Sequence, residues 1–315
     1  MNESITIVGA GLMGAGIAGE FARGGHTVIL VDNDADALAR GLRRSQLAHR
    51  ALVEAGAIDQ ESADAAAKRL HPTNSLDEAC GDATIVIEAV PEELSLKKEL
   101  FGWIDELAPR EAILATNTSG LSITKIADAT KRRERVVGVH FWNPPHVVPL
   151  VEVTKGESTS DATADRILTL CKSLGKKPIL VRHDIPGFVG NRLQFAVFRE
   201  ALHLIEEGVA TAEDIDRAMT AGPGLRYSML GPLRTADLGG LDVFYAISNY
   251  LSPELSSTTS TSSVLKKLIE QQKLGAKSGE GFYRYGEKEV ERRLAQRDRV
   301  LLRFLNLLNS DEEEG

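Results

Sequence analysis

The chain has 315 residues, 43% of them hydrophobic, and carries 37 Lys and Arg against 45 Asp and Glu, for a formal charge of -8. That length buries a substantial core and accommodates two domains. The acidic balance excludes a broad electrostatic footprint for nucleic acid or anionic lipid. With no apolar run of roughly 18 residues and no signal-peptide layout, a cytoplasmic protein with a small-molecule substrate and no membrane partner is expected.

In chain order, short β-branched runs alternate with helical stretches, the pattern of parallel βαβ units. Strands are predicted at Ile5–Val8, Val28–Val31, Thr84–Glu88, Ile113–Ala115, Val136–Val139, Val148–Val153 and Pro178–Val181. The first runs straight into Gly9-Ala10-Gly11-Leu12-Met13-Gly14 at the start of a helix. In that context Gly9 permits the tight turn, Gly11 lets the backbone approach a pyrophosphate, and Gly14 lets the helix pack closely on the sheet, its N-terminus facing the phosphates. The second strand ends at Asp32, about twenty residues past the glycines, where a carboxylate accepts from adenosine ribose hydroxyls. It repels a 2′-phosphate, and Asn33 rather than an arginine follows, so NAD is expected over NADP. From Ala35 to about Leu70 the helical period continues as an excursion from the sheet. Cys80 and Cys171 are far apart and offer neither a disulfide framework nor metal-ligand spacing, so buried thiols and no metal are expected.

Three segments at or beyond later strands invite a chemical reading: Ala115-Thr116-Asn117-Thr118-Ser119, Val139-His140-Phe141-Trp142-Asn143-Pro144-Pro145, and Val148-Pro149-Leu150-Val151-Glu152-Val153. Ligands bind outside the carboxyl ends of strands in an open parallel sheet, which places Ser119, His140 and Asn143 near a nicotinamide. Glu152 interrupts an apolar strand, where a carboxylate is costly without a partner, and a histidine is the obvious one. Alcohol oxidation needs a base for the hydroxyl proton. His140 is the candidate, with Glu152 holding its tautomer and Ser119 bonding the reacting oxygen. His146 lies in the same loop and is the other histidine to watch.

The pattern changes at Asp184-Ile185-Pro186-Gly187, giving expected domains 1–184 and 185–315. From Phe188 onward Leu193, Phe195, Val197, Phe198 and Leu202 cover too many sides for one stripe, so that helix is expected in a bundle or at a subunit contact. Leu255–Ser263 reads as an exposed loop and Ser310–Gly315 as a frayed acidic tail.

Together with Glu88-Ala89-Val90-Pro91-Glu92, Gly187-Phe188-Val189-Gly190-Asn191-Arg192-Leu193 and Lys277-Ser278-Gly279-Glu280-Gly281-Phe282-Tyr283, these motifs resemble the L-3-hydroxyacyl-CoA dehydrogenase family over nearly the whole chain. The resemblance implies an α/β fold: a Rossmann-type, mostly parallel sheet domain followed by an all-α C-terminal domain that forms a homodimer. It implies His140 and Glu152 as the catalytic pair, assisted by Ser119 and Asn191. NAD contacts then include Glu92, Lys97, Asn117, Ser119, Asn143 and Lys277, beside Gly9 to Gly14 and Asp32. Oxidation of a short-chain (S)-3-hydroxyacyl-CoA is the leading expectation, with Ser45 aligned to a coenzyme A contact. Two departures keep a free hydroxy acid open, whether a sugar acid, a carnitine-like compound or a pyridine carboxylate. The stretch Arg43–Arg50 holds arginines but no lysine, and Arg226 offers a fork that clamps a carboxylate. A catalytically idle, crystallin-like NAD-binding protein is the third reading.

Overall fold

The computed structural model describes residues 2–313 of the chain. Eight strands form one sheet: β1 (Ser4–Val8), β2 (Thr27–Val31), β3 (Leu70–Thr73), β4 (Ile85–Glu88), β5 (Ile113–Thr116), β6 (Val136–Phe141), β7 (Leu150–Thr154) and β8 (Lys177–Val181). Their order across the sheet is β3-β2-β1-β4-β5-β6-β7-β8. Every neighbouring pair is parallel except β6 and β7. The expected Rossmann-type, mostly parallel sheet is therefore what the chain forms. The order turns back between β1 and β4, which opens a crevice at the carboxyl ends of these strands.

Strand β3 went unread in the sequence. It carries Pro72 and no apolar alternation, and it pairs only with β2. An edge is where a strand tolerates a residue that cannot donate to the ladder. The helical excursion before it is two helices, α2 (Ala35–Glu54) and α3 (Gln60–Lys68), which follow α1 (Leu12–Arg23). Then come α4 (Leu76–Cys80), α5 (Leu94–Leu107), α6 (Ile123–Ala127) and α7 (Asp161–Ser173).

Both sheet faces are covered, which explains the near-continuous apolar strands. On one face Ile5, Ile7, Val139, Phe141, Val151 and Val153 pack with Ile17 and Phe21 of α1 and Ile167 of α7. On the other, Val86, Leu114 and Val136 pack with Leu100, Phe101 and Ile104 of α5 and Ile126 of α6. Cys80 and Cys171 are buried free thiols, and burial pushes each up to about 12, which leaves them protonated and unreactive at neutral pH.

The chain divides into two compact units, one running to Arg192 and taking in Asp298–Asn306, the other made of Leu193–Arg297 and the residues from Leu307. The division falls inside α8 (Gly190–Glu206), beyond the position 184 expected from the Pro-Gly signal. The second unit is helical: the rest of α8, then α9 (Ala212–Ala221), α10 (Pro223–Tyr227), α11 (Gly231–Gly239), α12 (Leu241–Leu251), α13 (Ser263–Glu270) and most of α14 (Glu289–Glu313). Along α8 Leu202 is buried while Leu193, Phe195 and Val197 are exposed. The predicted tail at 310–315 is helical to Glu313, and residues 314–315 lie outside the described residues. Among the described residues no helix is long and apolar enough to cross a membrane.

Phe21 is fully buried where α1 meets the sheet, with its ring edge-on to Phe141 at 6.0 Å. Phe21→Ala is expected to destabilise the first unit by about 3–5 kcal/mol, the range for emptying a large core site. Guanidinium titration followed by circular dichroism measures it.

Candidate active site

Between the end of β1 and the start of α1 the backbone turns through Gly9, Ala10 and Gly11. Gly9 sits at φ +105°, and a Cβ there would lie 2.8 Å from the Ala89 carbonyl oxygen. A Cβ on Gly14 would lie 1.8 Å from the Gly9 carbonyl oxygen, so both positions must be glycine to close the turn. Gly11 instead faces open space, with nothing within 4 Å. No side chain caps the N-terminus of α1, which leaves its amide donors and dipole free for an anion.

A cleft of about 870 Å³ opens there, lined by Gly9 to Met13, Asp32, Asn74 and Trp103. Asp32 is oriented by its neighbours: Oδ2 accepts from the Ala10 amide at 2.8 Å and Oδ1 from the Asp34 amide at 3.0 Å. An uncapped helix start, a glycine facing empty space and an acid at the next strand end fit a dinucleotide with a free ribose 2′-hydroxyl.

The antiparallel step from β6 to β7 places His140 directly opposite Glu152. Opposed residues share a face, so the side chains meet, His140 Nδ1 lying 2.8 Å from Glu152 Oε2. Both are buried, at 5% and 0% exposure. Glu152 Oε2 also accepts from the Trp142 indole at 3.1 Å, and Oε1 accepts from the amides of Val189 at 3.0 Å and Gly190 at 2.9 Å. Burial opposes the charge on Glu152. The His140 hydrogen bond, the Gly190 and Val189 amides and the imidazole's attraction together outweigh it and hold the carboxyl below the usual carboxylate range. An ionised Glu152 can only accept, so Nδ1 carries the proton and Nε2 of a neutral imidazole is left with its lone pair.

Phe188 explains how a loop delivers two amides to one oxygen. It has φ 47°, in the left-handed region that a bulky residue avoids. Its fully buried ring stands edge-on to His140 at 6.1 Å, and this packing holds the turn. Gly190 follows because a Cβ there would lie 2.3 Å from the Trp142 ring.

Of the remaining first-unit candidates, Lys97, Glu92, Ser119 and Asn191 are linked to one another in turn. Ser119, beyond β5, is exposed; its amide donates to Glu92 Oε1 at 2.8 Å and its carbonyl accepts from Asn191 Nδ2 at 2.9 Å. The Ser119 hydroxyl has no partner among the described residues. Asn117 Oδ1 accepts from the Phe141 amide at 2.8 Å, which fixes the end of β5 beside His140. Lys97 is enclosed, its ammonium 2.6 Å from Glu88 and 3.4 Å from Glu92, so it is a paired rather than an open cation. Asn143 is exposed in the loop after β6.

Ser45, expected at a substrate contact, is 2% exposed and turned inward against α1, where a Cβ on Gly19 would lie 2.6 Å from its hydroxyl. Helix α2 instead turns Arg43, Arg44 and Leu47 outward. Arg226 and Lys277 belong to the second unit, on α10 and in the turn closed by the Gly275–Glu280 bridge, and both are exposed. Sequence reasoning missed Trp142, Phe188, Val189 and Gly190 as the holders of Glu152. The Pro186-Gly187 break was visible, but read as a domain boundary it did not disclose where the amides of Val189 and Gly190 point.

Residues 4–185 match the model of the 3-hydroxyacyl-CoA dehydrogenase NAD binding domain, and residues 187–285 that of the 3-hydroxyacyl-CoA dehydrogenase C-terminal domain. The chain is 36% identical over 312 residues to the 5-formyl-3-hydroxy-2-methylpyridine 4-carboxylate 5-dehydrogenase of Mesorhizobium japonicum, covering 99% of this chain and 100% of that one. It is 40% identical over 291 residues to the mitochondrial hydroxyacyl-coenzyme A dehydrogenase of Rattus norvegicus, covering 90% and 91%. The crystal structure of a 5-formyl-3-hydroxy-2-methylpyridine 4-carboxylic acid 5-dehydrogenase, described as an NAD+-dependent dismutase, superposes with a TM-score of 0.92 at 35% identity, covering 98% and 99%.

Because Glu152 is held below its ordinary value of 4.5, the stability it contributes is complete above that value and is lost as pH falls through the lowered one. The stability gap between wild type and Glu152→Gln is expected to be widest near neutrality and to shrink on acidification below about 4.5. Paired denaturant titrations from pH 7 to pH 3 check the sign, and a gap that widens in acid contradicts it.

Proposed function

We propose that this chain, which belongs to the 3-hydroxyacyl-CoA dehydrogenase family and is an NAD-dependent oxidoreductase of CH–OH groups, acts on a small free carboxylic acid of the pyridine-carboxylate class. The observation that carries this choice is the end-to-end likeness to the pyridine-carboxylate enzyme, in contrast to the shorter match with the coenzyme A enzyme. Two features of the chain support it. Ser45 is turned away from solvent, and Arg226 is exposed with no ion pair among the described residues, leaving a guanidinium fork for a substrate carboxylate.

In this reading NAD, when bound, accepts the hydride. His140 Nε2 takes the hydroxyl proton as the C–H electron pair leaves, and the carbon–oxygen double bond forms. Glu152 keeps Nδ1 protonated and balances the imidazolium charge. The Ser119 hydroxyl and the Asn191 amide donate to the substrate oxygen. A hydrated aldehyde presents the same H–C–O–H unit as a secondary alcohol, so one dyad serves either. The intact dyad weighs against an idle NAD-binding protein.

Oxidation of a short-chain (S)-3-hydroxyacyl-CoA is the second reading, supported by the family models and by the rat relative. Initial rates with NAD and either 5-formyl-3-hydroxy-2-methylpyridine 4-carboxylate or (S)-3-hydroxybutyryl-CoA separate the two. Turnover of the pyridine acid is expected, with Arg226→Ala raising KM at least about tenfold, the loss of one charge-assisted contact. His140→Ala is expected to lower kcat at least about a hundredfold with NAD affinity kept. Saturable turnover of the thioester alone reverses the substrate assignment.

The second unit is proposed to pair two copies. Its α8, α11 and α12 leave Phe195, Leu233, Leu241 and Tyr245 exposed, an apolar display that a lone soluble chain rarely carries. Light scattering is expected to give twice the 34.1 kDa chain mass, and Tyr245→Glu to move the population toward the monomer. A wild type that runs at the single-chain mass rejects the pairing.

A further inference from the structure

A further buried charge cluster stands behind the loop that joins β6 to β7, and the chemistry above does not use it. Glu20 on α1 is 1% exposed, and Lys176, just before β8, is 8% exposed. The Lys176 ammonium lies 2.5 Å from Glu20 Oε2 and donates to the Pro145 carbonyl at 2.5 Å. Glu20 also accepts two bonds from Arg23, at 3.2 Å and 2.9 Å. One carboxylate thus faces two cations, and Arg23 already takes both of its oxygens. A buried lysine is costly, and its bond to Pro145 is the part of this arrangement that an ion pair between α1 and β8 does not require.

The loop is seated on the same helix by shape. Gly16 lies four residues before Glu20 and so shares its helix face. A Cβ on Gly16 would stand 3.0 Å and 3.1 Å from two ring carbons of Pro145. The loop is itself a compact turn, since the Pro144 carbonyl accepts from the amides of Val147 and Val148, each at 3.0 Å. Asn143 stands at its start, three residues beyond His140.

We infer that Lys176, with Glu20 as counter-ion, is a positioning residue that ties the Asn143–Val147 loop to α1, so that one helix sets both the dinucleotide cradle and the loop leading out of His140. This rests on His140 and Glu152 being the active site. The bare alternative is a scaffold ion pair, which stabilises α1 against β8 and leaves the loop indifferent.

Three variants separate these: Lys176→Met removes the tether, Lys176→Arg keeps a donor, and Gly16→Ala presses on Pro145 without altering charge. Hydrogen exchange of peptides spanning 142–149 is read in the NAD-free protein, NAD affinity by calorimetry, and KM and kcat with whichever of the two probes above the wild type turns over. For Lys176→Met, exchange at Val147 and Val148 is expected to quicken and KM to rise, each by about tenfold, the scale of one charge-assisted hydrogen bond. NAD affinity is expected to stay within about twofold, because the pyrophosphate seat at the helix N-terminus is untouched. Lys176→Arg should recover much of both, and Gly16→Ala should reproduce the rise in KM. Loss of thermal stability with loop exchange and KM unchanged overturns the inference, as does weakening of NAD binding in step with KM. Should Lys176→Met fail to fold, unchanged loop exchange and KM in Gly16→Ala overturn it. Full activity in His140→Ala, beside an altered loop in the tether variants, removes the active-site reading and leaves the tether standing.

Discussion

The structure turns on a buried carboxylate placed opposite an imidazole by one reversed strand. Had β7 run parallel to β6 like the rest of the sheet, its connection would have needed a crossover of a dozen residues or more. Instead eight residues separate the strand ends, and residue pairing across the ladder decides which side chains meet. Once Glu152 is in the wall of the sheet its charge must be met, since an unpaired buried ion costs several kcal/mol. Four donors meet it, from β6, from the residue after β6, from Val189 just before α8 and from Gly190 at its start. The left-handed backbone at Phe188 and the missing side chain at Gly190 are conditions for that satisfaction.

Two other buried carboxylates follow the same rule at other corners of the sheet. Glu88 ends β4 and is met by Lys97 at 2.6 Å, Thr116 at 2.7 Å and the Val90 amide at 2.7 Å. Glu20 on α1 is met by Arg23 and Lys176. Each ties a helix or strand to a loop at the carboxyl ends of the strands, where a ligand must be faced by backbone that would otherwise move. Low dielectric makes such fully satisfied networks rigid, and removing one partner exposes the desolvation cost of the rest. Glu92 is the partly exposed counterpart, holding Ser119 and Thr118 in place while remaining open to solvent.

Much of this was legible in the sequence because the signals were local. The Gly9–Gly14 turn, the acid ending β2 and the parallel strands all depend on residues a few positions apart, or on a fixed spacing of about twenty. The pairing of His140 with Glu152 was legible for a different reason, that a carboxylate between two valines demands a partner. What stayed hidden depends on side-chain direction or on distant backbone. Strand β3 has no pattern of its own and exists because β2 offers an open edge. Ser45 sits on a helix whose amphipathic stripe is broad, and its burial follows from Gly19 on α1, a contact between two helices that no motif records. The amides of Val189 and Gly190 lie 37 and 38 residues from the oxygen they hold.

The division of labour within the dyad follows from the same count of donors. A carboxylate with four hydrogen bonds and a lowered proton affinity is a poor acceptor for a substrate proton, and both of its oxygens are already engaged. The imidazole differs, because one nitrogen is committed to Glu152 and the other faces away from it, so the proton has a single place to go within the pair. As that proton arrives, the neutral imidazole and carboxylate become an ion pair at 2.8 Å between two buried side chains, where opposite charges attract more strongly than in solvent. Glu152 therefore stabilises the charged state of His140 more than its neutral state, and only that difference, not the strength of the bond itself, lowers a barrier.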